Sequence, residues 1–215
     1  MRFAVLGTGM VGQSIANKLV QLGHEVRMGG RSRGNDKAVA WAREAGARAS
    51  EGSFADAAAF GEVIFNCTLG SASLEALAAA GAENLRDKIL IDVSNPLDLS
   101  KGMPPTLFAG NTDSLGEQIQ RAFPEAKVVK TLNTINCQLM VEPTKLRGGE
   151  HDVFVSGNDA GAKERVAEIL RTFGWKHIID LGDIATARGT ESYLPLWLRL
   201  WGALQTADFN IKIVH

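Results

Sequence analysis

Three observations predict a doubly wound parallel α/β fold. Short apolar runs alternate with segments of helical period along most of the chain, a Gly-x-Gly-x-x-Gly turn follows the first run directly, and that turn opens the first helix. The 215 residues are enough for one large α/β domain or a domain with a small appendage. Apolar residues make up 45% and charged residues 22%, a balance that excludes a disordered chain. A net charge of −1 gives no reason to expect nucleic acid or an anionic membrane surface as partner.

The elements follow in order. Arg2-Phe3-Ala4-Val5-Leu6 is a short apolar run ending at glycine, the pattern of a buried parallel strand. Residues 10–22 carry Val11, Ile15, Leu19 and Leu22 at helical spacing and stop at Gly23. A second strand covers 25–28, and a Gly29-Gly30-Arg31-Ser32-Arg33 turn leads to a helix over 35–45 that stops at Gly46. An Ala-rich helix over 53–60, a strand over 62–66, a helix over 71–80 and a strand over 88–93 continue the alternation. Asn95-Pro96 opens a loop past Pro104-Pro105. Ser114 and Glu117, at capping-box spacing, start a helix to Phe123, and a strand follows over 126–132. Beyond Leu132 the pattern gives a strand over 153–157, a helix over 160–173, a strand over 177–180 and a long apolar helix from Ile184 to about Phe209. Leu194, Leu196, Trp197, Leu198, Leu200, Trp201 and Leu204 surround that last axis, so it must be covered on more than one face. The predicted organisation is a nucleotide-binding part over 1–131, and a part over 132–215 that completes the sheet and ends in a small helical cap.

Gly7-Thr8-Gly9-Met10-Val11-Gly12 carries the chemistry of a Rossmann-type phosphate loop. The first glycine allows a tight turn, the second lets backbone approach a pyrophosphate, and the third lets helix pack on strand. The helix N-terminus supplies amide donors and the positive dipole end. At the end of the second strand an NAD site places a carboxylate, whereas this chain has Arg31 and Ser32. A guanidinium fork and a hydroxyl suit a 2′-phosphate, so the sequence predicts NADP(H). Cys67 and Cys137 have no CxxC partner, and His24, His151, His177 and His215 are scattered singly, so neither a disulfide framework nor a metal site is expected. The absence of an 18-residue apolar stretch predicts no membrane span, and the absence of a leader pattern predicts a cytoplasmic protein.

These residues resemble the NADP-dependent oxidoreductases of the deazaflavin coenzyme F420, and the soluble domain of six-transmembrane metalloreductases is similar too. The resemblance runs through the first nine residues and the Gly29-Gly30-Arg31-Ser32 turn. It continues in Asp92-Val93-Ser94-Asn95-Pro96-Leu97, Asn133-Thr134-Ile135 and the tail around Ala187-Arg188, Glu191-Ser192, Leu194-Pro195-Leu196 and Asn210-Ile211-Lys212. It implies phosphate contacts at Thr8, Gly9, Met10 and Val11, and 2′-phosphate contacts at Arg31, Ser32 and Lys37. It implies that Cys67, Thr68 and Leu69 line the path between adenosine and nicotinamide, with Asn95, Pro96 and Asn133 near the nicotinamide. Gly30 stands where the family has serine, and Asn133 where some archaeal members have histidine.

Hydride transfer to a flavin-like ring needs mainly orientation, whereas a carbonyl reductase needs a positioned acid. No Tyr-x-x-x-Lys pair occurs, and Lys130 reads as a strand-edge lysine. The expected function is therefore hydride transfer between NADPH and F420 or a flavin, with Asn133 positioning the acceptor. An imine or carbonyl reductase, or a non-catalytic NADP(H) sensor, is the alternative. Trp197 and Trp201, one turn apart, are candidates for an acceptor floor or for packing in the core or in the expected homodimer.

Overall fold

The structure, a computed structural model, describes residues 1–214; His215 lies outside the described residues. The first half runs β1 (Arg2–Leu6), α1 (Met10–Gln21), β2 (Glu25–Gly30), α2 (Asp36–Ala45), β3 (Ala49–Ser53), α3 (Phe54–Phe60) and β4 (Val63–Asn66). It continues through α4 (Ser73–Ala80), α5 (Ala82–Leu85), β5 (Ile89–Asp92), a β6–β7 hairpin (Leu97–Asp98, Thr106–Leu107), α6 (Leu115–Ala122) and β8 (Lys127–Thr131). The remainder is α7 (Cys137–Val141), β9 (Asp152–Gly157), α8 (Ala160–Phe173), β10 (His177–Gly182), α9 (Ala187–Ser192) and α10 (Leu194–Leu204). Eight strands form one sheet in the order β10-β9-β8-β5-β4-β1-β2-β3. The chain leaves β1 toward β2 and β3, then returns past it to β4, so the topological switch point lies between β1 and β4.

Burial on both faces explains the unbroken apolar runs. Phe3 and Val5 of β1, Phe65 of β4 and Val129 of β8 join α1, α2, α7 and α8 in one core. Ala4, Leu6, Ile64 and Val128 join α3, α4, α5 and α6 in the other. Alternate side chains of each strand therefore go to opposite apolar layers, which is what a parallel sheet covered on both sides requires.

The structure departs from the sequence pattern in three places. β3 is an added edge strand whose Ala-Ser-Glu-Gly-Ser sequence has no apolar signal, and parallel pairing with β2 holds it. β9 runs antiparallel to β8, because α7 and two short 3-10 turns return the chain without a full crossover. The predicted long tail helix is divided. A 3-10 turn and α9 precede α10, which restarts around Pro195, lacking an N–H, and ends at Gln205 in the left-handed region.

The isolated histidines have structural surroundings. His151 is buried edge-on against Trp175 and bonds Pro143 O, His24 stacks on Phe3, and His177 meets Glu150. Among the described residues no group of three His, Cys, Asp or Glu is arranged to hold a metal, and no helix is long and apolar enough to cross a membrane.

α9 is clamped onto α6. Arg188 donates from Nε and Nη2 to the two Glu117 oxygens at 2.8 and 2.5 Å, and Glu117 also accepts from the Ser114 hydroxyl at 2.7 Å. The Arg188 hydrogen bonds hold the Glu117 carboxyl below the ordinary glutamate value of 4.5. A depressed folded-state pKa adds stability that is present above the unfolded value and lost as pH falls through the folded one. Glu117→Gln should therefore lower Tm at pH 7, and the gap to the unmodified protein should close as pH is lowered below about 4.5. Thermal melts of both proteins across pH 3–7 check this, and a gap independent of pH would contradict it.

Candidate functional site

Gly7, Thr8, Gly9, Arg31, Cys67, Thr68 and Leu69 line one cleft of about 490 Å³ at the carboxyl ends of β1, β2 and β4. The phosphate loop is built by crowding. Gly7 has φ +117°, and a Cβ there would stand 2.6 Å from Cys67 O; a Cβ on Gly12 would collide with Gly7 O. Around Gly9, by contrast, nothing lies within 4 Å of a Cβ position. Gly9 caps α1 without a side-chain acceptor, leaving the amides of Met10 and Val11 available at the helix N-terminus. A tight first glycine, an open second and a crowded third fit a pyrophosphate laid across the loop.

Two arginines follow β2 and have different fates. Arg33 forks onto Asp56, at 2.6 Å through Nε and through a second short contact, and this holds the Asp56 carboxyl well below its ordinary range. Asp56 is itself fixed by a capping box with Ser53 at the start of α3. Arg31 has no carboxylate partner among the described residues and lines the cleft. Ser32 is exposed in the same turn. Lys37 lies elsewhere, in a recess between α1 and α2 with Gln13, Asn17 and Trp41.

The opposite wall was not evident from motifs. Phe54, Asn35 and one face of the helical segment after β4, Ala72, Ala76 and Ala79, complete the cleft. The alanine spacing was the available signal, since small residues one turn apart leave room beside a helix. Cys67 is a half-buried thiol pushed upward in pKa by burial and by the Asp92 charge. The Thr68 hydroxyl donates to Asn66 Oδ1 at 2.7 Å, and Leu69 is 58% exposed.

Asn95, Pro96 and Asn133 form a second group. Asn95 Nδ2 donates to Asn133 O at 2.9 Å, and Asn133 Nδ2 donates to Asn95 Oδ1 at 3.0 Å and Thr190 O at 3.1 Å. Both are therefore tied into the fold, and Asn133 and Pro96 are buried. Both amide hydrogens of Asn133, the residue expected to position the acceptor, are thus engaged within the fold. The residue before it, Leu132, is buried at φ 61°, a left-handed conformation that costs a non-glycine residue about 1–3 kcal/mol and persists only where surroundings enforce it. The tail element that reaches Asn133 is α9, through Thr190 O, rather than the tryptophans of α10. Trp197 stacks with Trp201 and Phe209 at centroid distances of 6.0 and 5.2 Å.

Lys130 is the largest correction. It is no edge lysine: its side chain is fully buried, 2.7 Å from Asp92 Oδ2 and 2.8 Å from Glu191 Oε1. Burial opposes its charge, but the two carboxylates outweigh that and raise its pKa. Glu191 lies 61 residues away in sequence, so no local pattern announced the pairing.

A switch-point cleft with a glycine loop on one side and an uncommitted arginine on the other defines a dinucleotide-binding protein of the Rossmann class. The comparisons narrow this. The family NADP oxidoreductase coenzyme F420-dependent matches residues 2–96. A crystal structure from Arthrobacter sp. FB24, provisionally named an F420-dependent NADP-reductase, is 57% identical, covers all of both chains and superposes with a TM-score of 0.96. The chain belongs to the family of F420-dependent NADP oxidoreductases. Among named relatives, Metalloreductase STEAP3 of Rattus norvegicus is 31% identical over 91% of this chain. The F420-dependent NADP reductase of Methanocaldococcus jannaschii is 28% identical over 62% of it. The chain spans 38% of the first and 59% of the second.

The contrast between Gly9 and Gly12 is testable. Gly12→Ala should destabilise the protein by about 1–3 kcal/mol, because helix and loop must part. Gly9→Ala should leave stability unchanged or raise it by about 0.4–1 kcal/mol while weakening NADPH binding. Urea unfolding and calorimetric titration of both variants measure this, and equal loss of stability would contradict it.

Proposed function

We propose that this chain transfers hydride between NADPH and a flat, flavin-like acceptor, either deazaflavin F420 or a flavin. Residues 1–131 would bind the nucleotide, and residues 132–215 would complete the sheet and cover the acceptor end. The observation that carries the cofactor half is Arg31, which faces the cleft unpaired while Arg33 is neutralised by Asp56. Arg31 and Ser32 would receive the 2′-phosphate, the Met10 and Val11 amides the pyrophosphate, and Asn95, Pro96 and Asn133 would lie at the nicotinamide end. NADPH supplies the hydride when bound. The chain's own part is to fix the ring's position and exclude water.

The acceptor half rests on which groups are left to move a proton. Lys130 Nζ is committed to two carboxylates and to Ser94 O, and Asn133 has no free donor. Tyr193, its phenol raised in pKa by burial, lines neither the nucleotide cleft nor the apolar recess beside Leu69. That none of these three is placed to protonate an alkoxide favours a conjugated ring over a small carbonyl. The affinity of NADPH should fall by about 1.5–3 kcal/mol in Arg31→Ala, the scale of a charge-assisted hydrogen bond, with little effect on NADH. The unmodified protein should oxidise NADPH with F420, and more slowly with free flavin, but hardly with keto acids or cyclic imines. Stopped-flow traces showing turnover only with carbonyl or imine substrates would overturn the acceptor assignment.

A homodimer through the tail is part of the same proposal. Leu196, Trp201, Leu204, Ile213 and Val214 are exposed, and Arg199 is the single charged residue of α10. A face this apolar and so weakly charged is complemented best by a like face, which a second copy supplies. Sedimentation should give about twice the 23.0 kDa chain mass at micromolar concentration, and Trp201→Glu should shift it toward monomer. A monomer in the unmodified protein would refute the dimer.

A further inference from the structure

Two anions and one cation are buried together at the carboxyl ends of β5 and β8, against the N-terminus of α6. Lys130 Nζ lies 2.7 Å from Asp92 Oδ2 and 2.8 Å from Glu191 Oε1, and donates to Ser94 O at 2.6 Å. The three side chains are at most 1% exposed. Every other partner of the carboxylates is a donor. Asp92 Oδ1 accepts from Asn66 Nδ2 at 2.8 Å, Ser94 Oγ at 2.7 Å and Ser94 N at 3.2 Å. Glu191 accepts from Leu115 N at 2.7 Å and Gly116 N at 3.0 Å. Donors thus surround both carboxylates, and two acidic side chains face one ammonium. The nearby Glu117 is already matched by Arg188. The cluster thus carries one uncompensated negative charge, of which the α6 N-terminus offsets about half.

We propose that this buried surplus of negative charge is a counter-charge for the oxidised nicotinamide, biasing the bound cofactor toward NADP⁺. The proposal rests on the reading that the nicotinamide end lies at Asn95, Pro96 and Asn133. Ser94, gripped by both Lys130 and Asp92, is the residue before Asn95, so the charge lies directly behind that wall. The oxidised ring is a cation and the dihydro ring is neutral, so a fixed anion in a poorly solvated setting acts on the first alone. NADP⁺ then binds more tightly than NADPH, the potential of the bound couple falls below that of the free couple, and hydride leaves NADPH more readily. Arg31 has no such effect, because the 2′-phosphate it would hold is the same in both redox forms.

The test is calorimetric titration of the full chain with NADP⁺, NADPH and 2′,5′-ADP, which lacks the nicotinamide. In Glu191→Gln and in Asp92→Asn, the ratio Kd(NADP⁺)/Kd(NADPH) should rise about three- to tenfold, the reach of one charge acting at several ångströms in a partly screened site, while 2′,5′-ADP affinity holds. An unchanged ratio in a folded variant, or equal weakening of both nucleotides, would mean the cluster is only structural. Asn95→Ala separates the two layers of inference: it should weaken NADPH but not 2′,5′-ADP. If it changes neither, the placement of the nicotinamide fails, and the proposal with it. Should both carboxamide variants unfold, the unmodified protein decides alone, since NADPH binding as tightly as NADP⁺, or more tightly, overturns the proposal.

Discussion

A lysine ammonium out of contact with water cannot stand alone, and much of this structure follows from how Lys130 is accommodated. Removing an ion from water costs several kcal/mol even after relaxation, and good geometry with further hydrogen bonds is what offsets it. Here the offset comes from three directions at once: Asp92 on β5, Glu191 on α9, and the Ser94 carbonyl just past β5. Satisfying one side chain therefore fixes the relative positions of two strands and the tail. Glu191 in turn takes the first amides of α6, and the network extends from Asp92 through Asn66 to Thr68 at the nucleotide cleft. The reciprocal Asn95–Asn133 bonds and the left-handed Leu132 sit on this base. The turn after β8 is held by Asn133, whose partners Asn95 and Thr190 sit on segments that the buried charges tie together.

At the other end of the cleft a local motif does comparable work. The Ser53–Asp56 capping box starts α3, and the carboxylate that closes it also receives Arg33. That choice leaves Arg31 as the free cation of the turn. Helix capping, ordinarily a matter of about 1 kcal/mol, thereby decides which arginine is offered to a ligand. The crowding at Gly7 and Gly12 has the same character: backbone contacts that fix the β1–α1 turn leave only Gly9 facing open space.

Much of this was legible in the sequence, and the misses share a cause. The apolar runs at 2–6, 62–66 and 88–93 and the glycine loop carry their information locally, and the sheet follows from them. β3 was invisible because an edge strand of Ala-Ser-Glu-Gly-Ser is held by its neighbour's backbone, which pattern reading does not see. The tail read as one helix because Pro195 is tolerated in a first helical turn, so its position alone did not announce the break. Gly7, Thr8, Gly9 and Arg31 fall together in one cleft, as their motif suggested, whereas Lys37 falls in another because α2 turns it toward α1. Lys130 was misread because its partners are 38 and 61 residues distant, and only the folded sheet brings them together.

The polar groups at the proposed nicotinamide end are thus spent on the fold itself. Asn133 bonds Asn95 and Thr190, Lys130 bonds carboxylates, and Glu191 bonds α6. What remains outward-facing nearby is largely apolar: Met10 is 78% exposed and Leu69 58%, and Leu69 also borders a recess walled by Leu74, Leu97, Leu99 and Phe108, with Ser71, Asp98, Ser100 and Gln118 on its lining. An acceptor meeting such surfaces is selected by shape and stacking, with few directional contacts to single it out. The proposed nucleotide recognition uses the opposite strategy, a phosphate loop and a free guanidinium, each of which leaves a signature in the sequence. The asymmetry explains why the residues speak clearly about the cofactor and only indirectly about its partner. It also means that altered acceptor choice would come from reshaping these walls rather than from exchanging the buried polar groups beneath them.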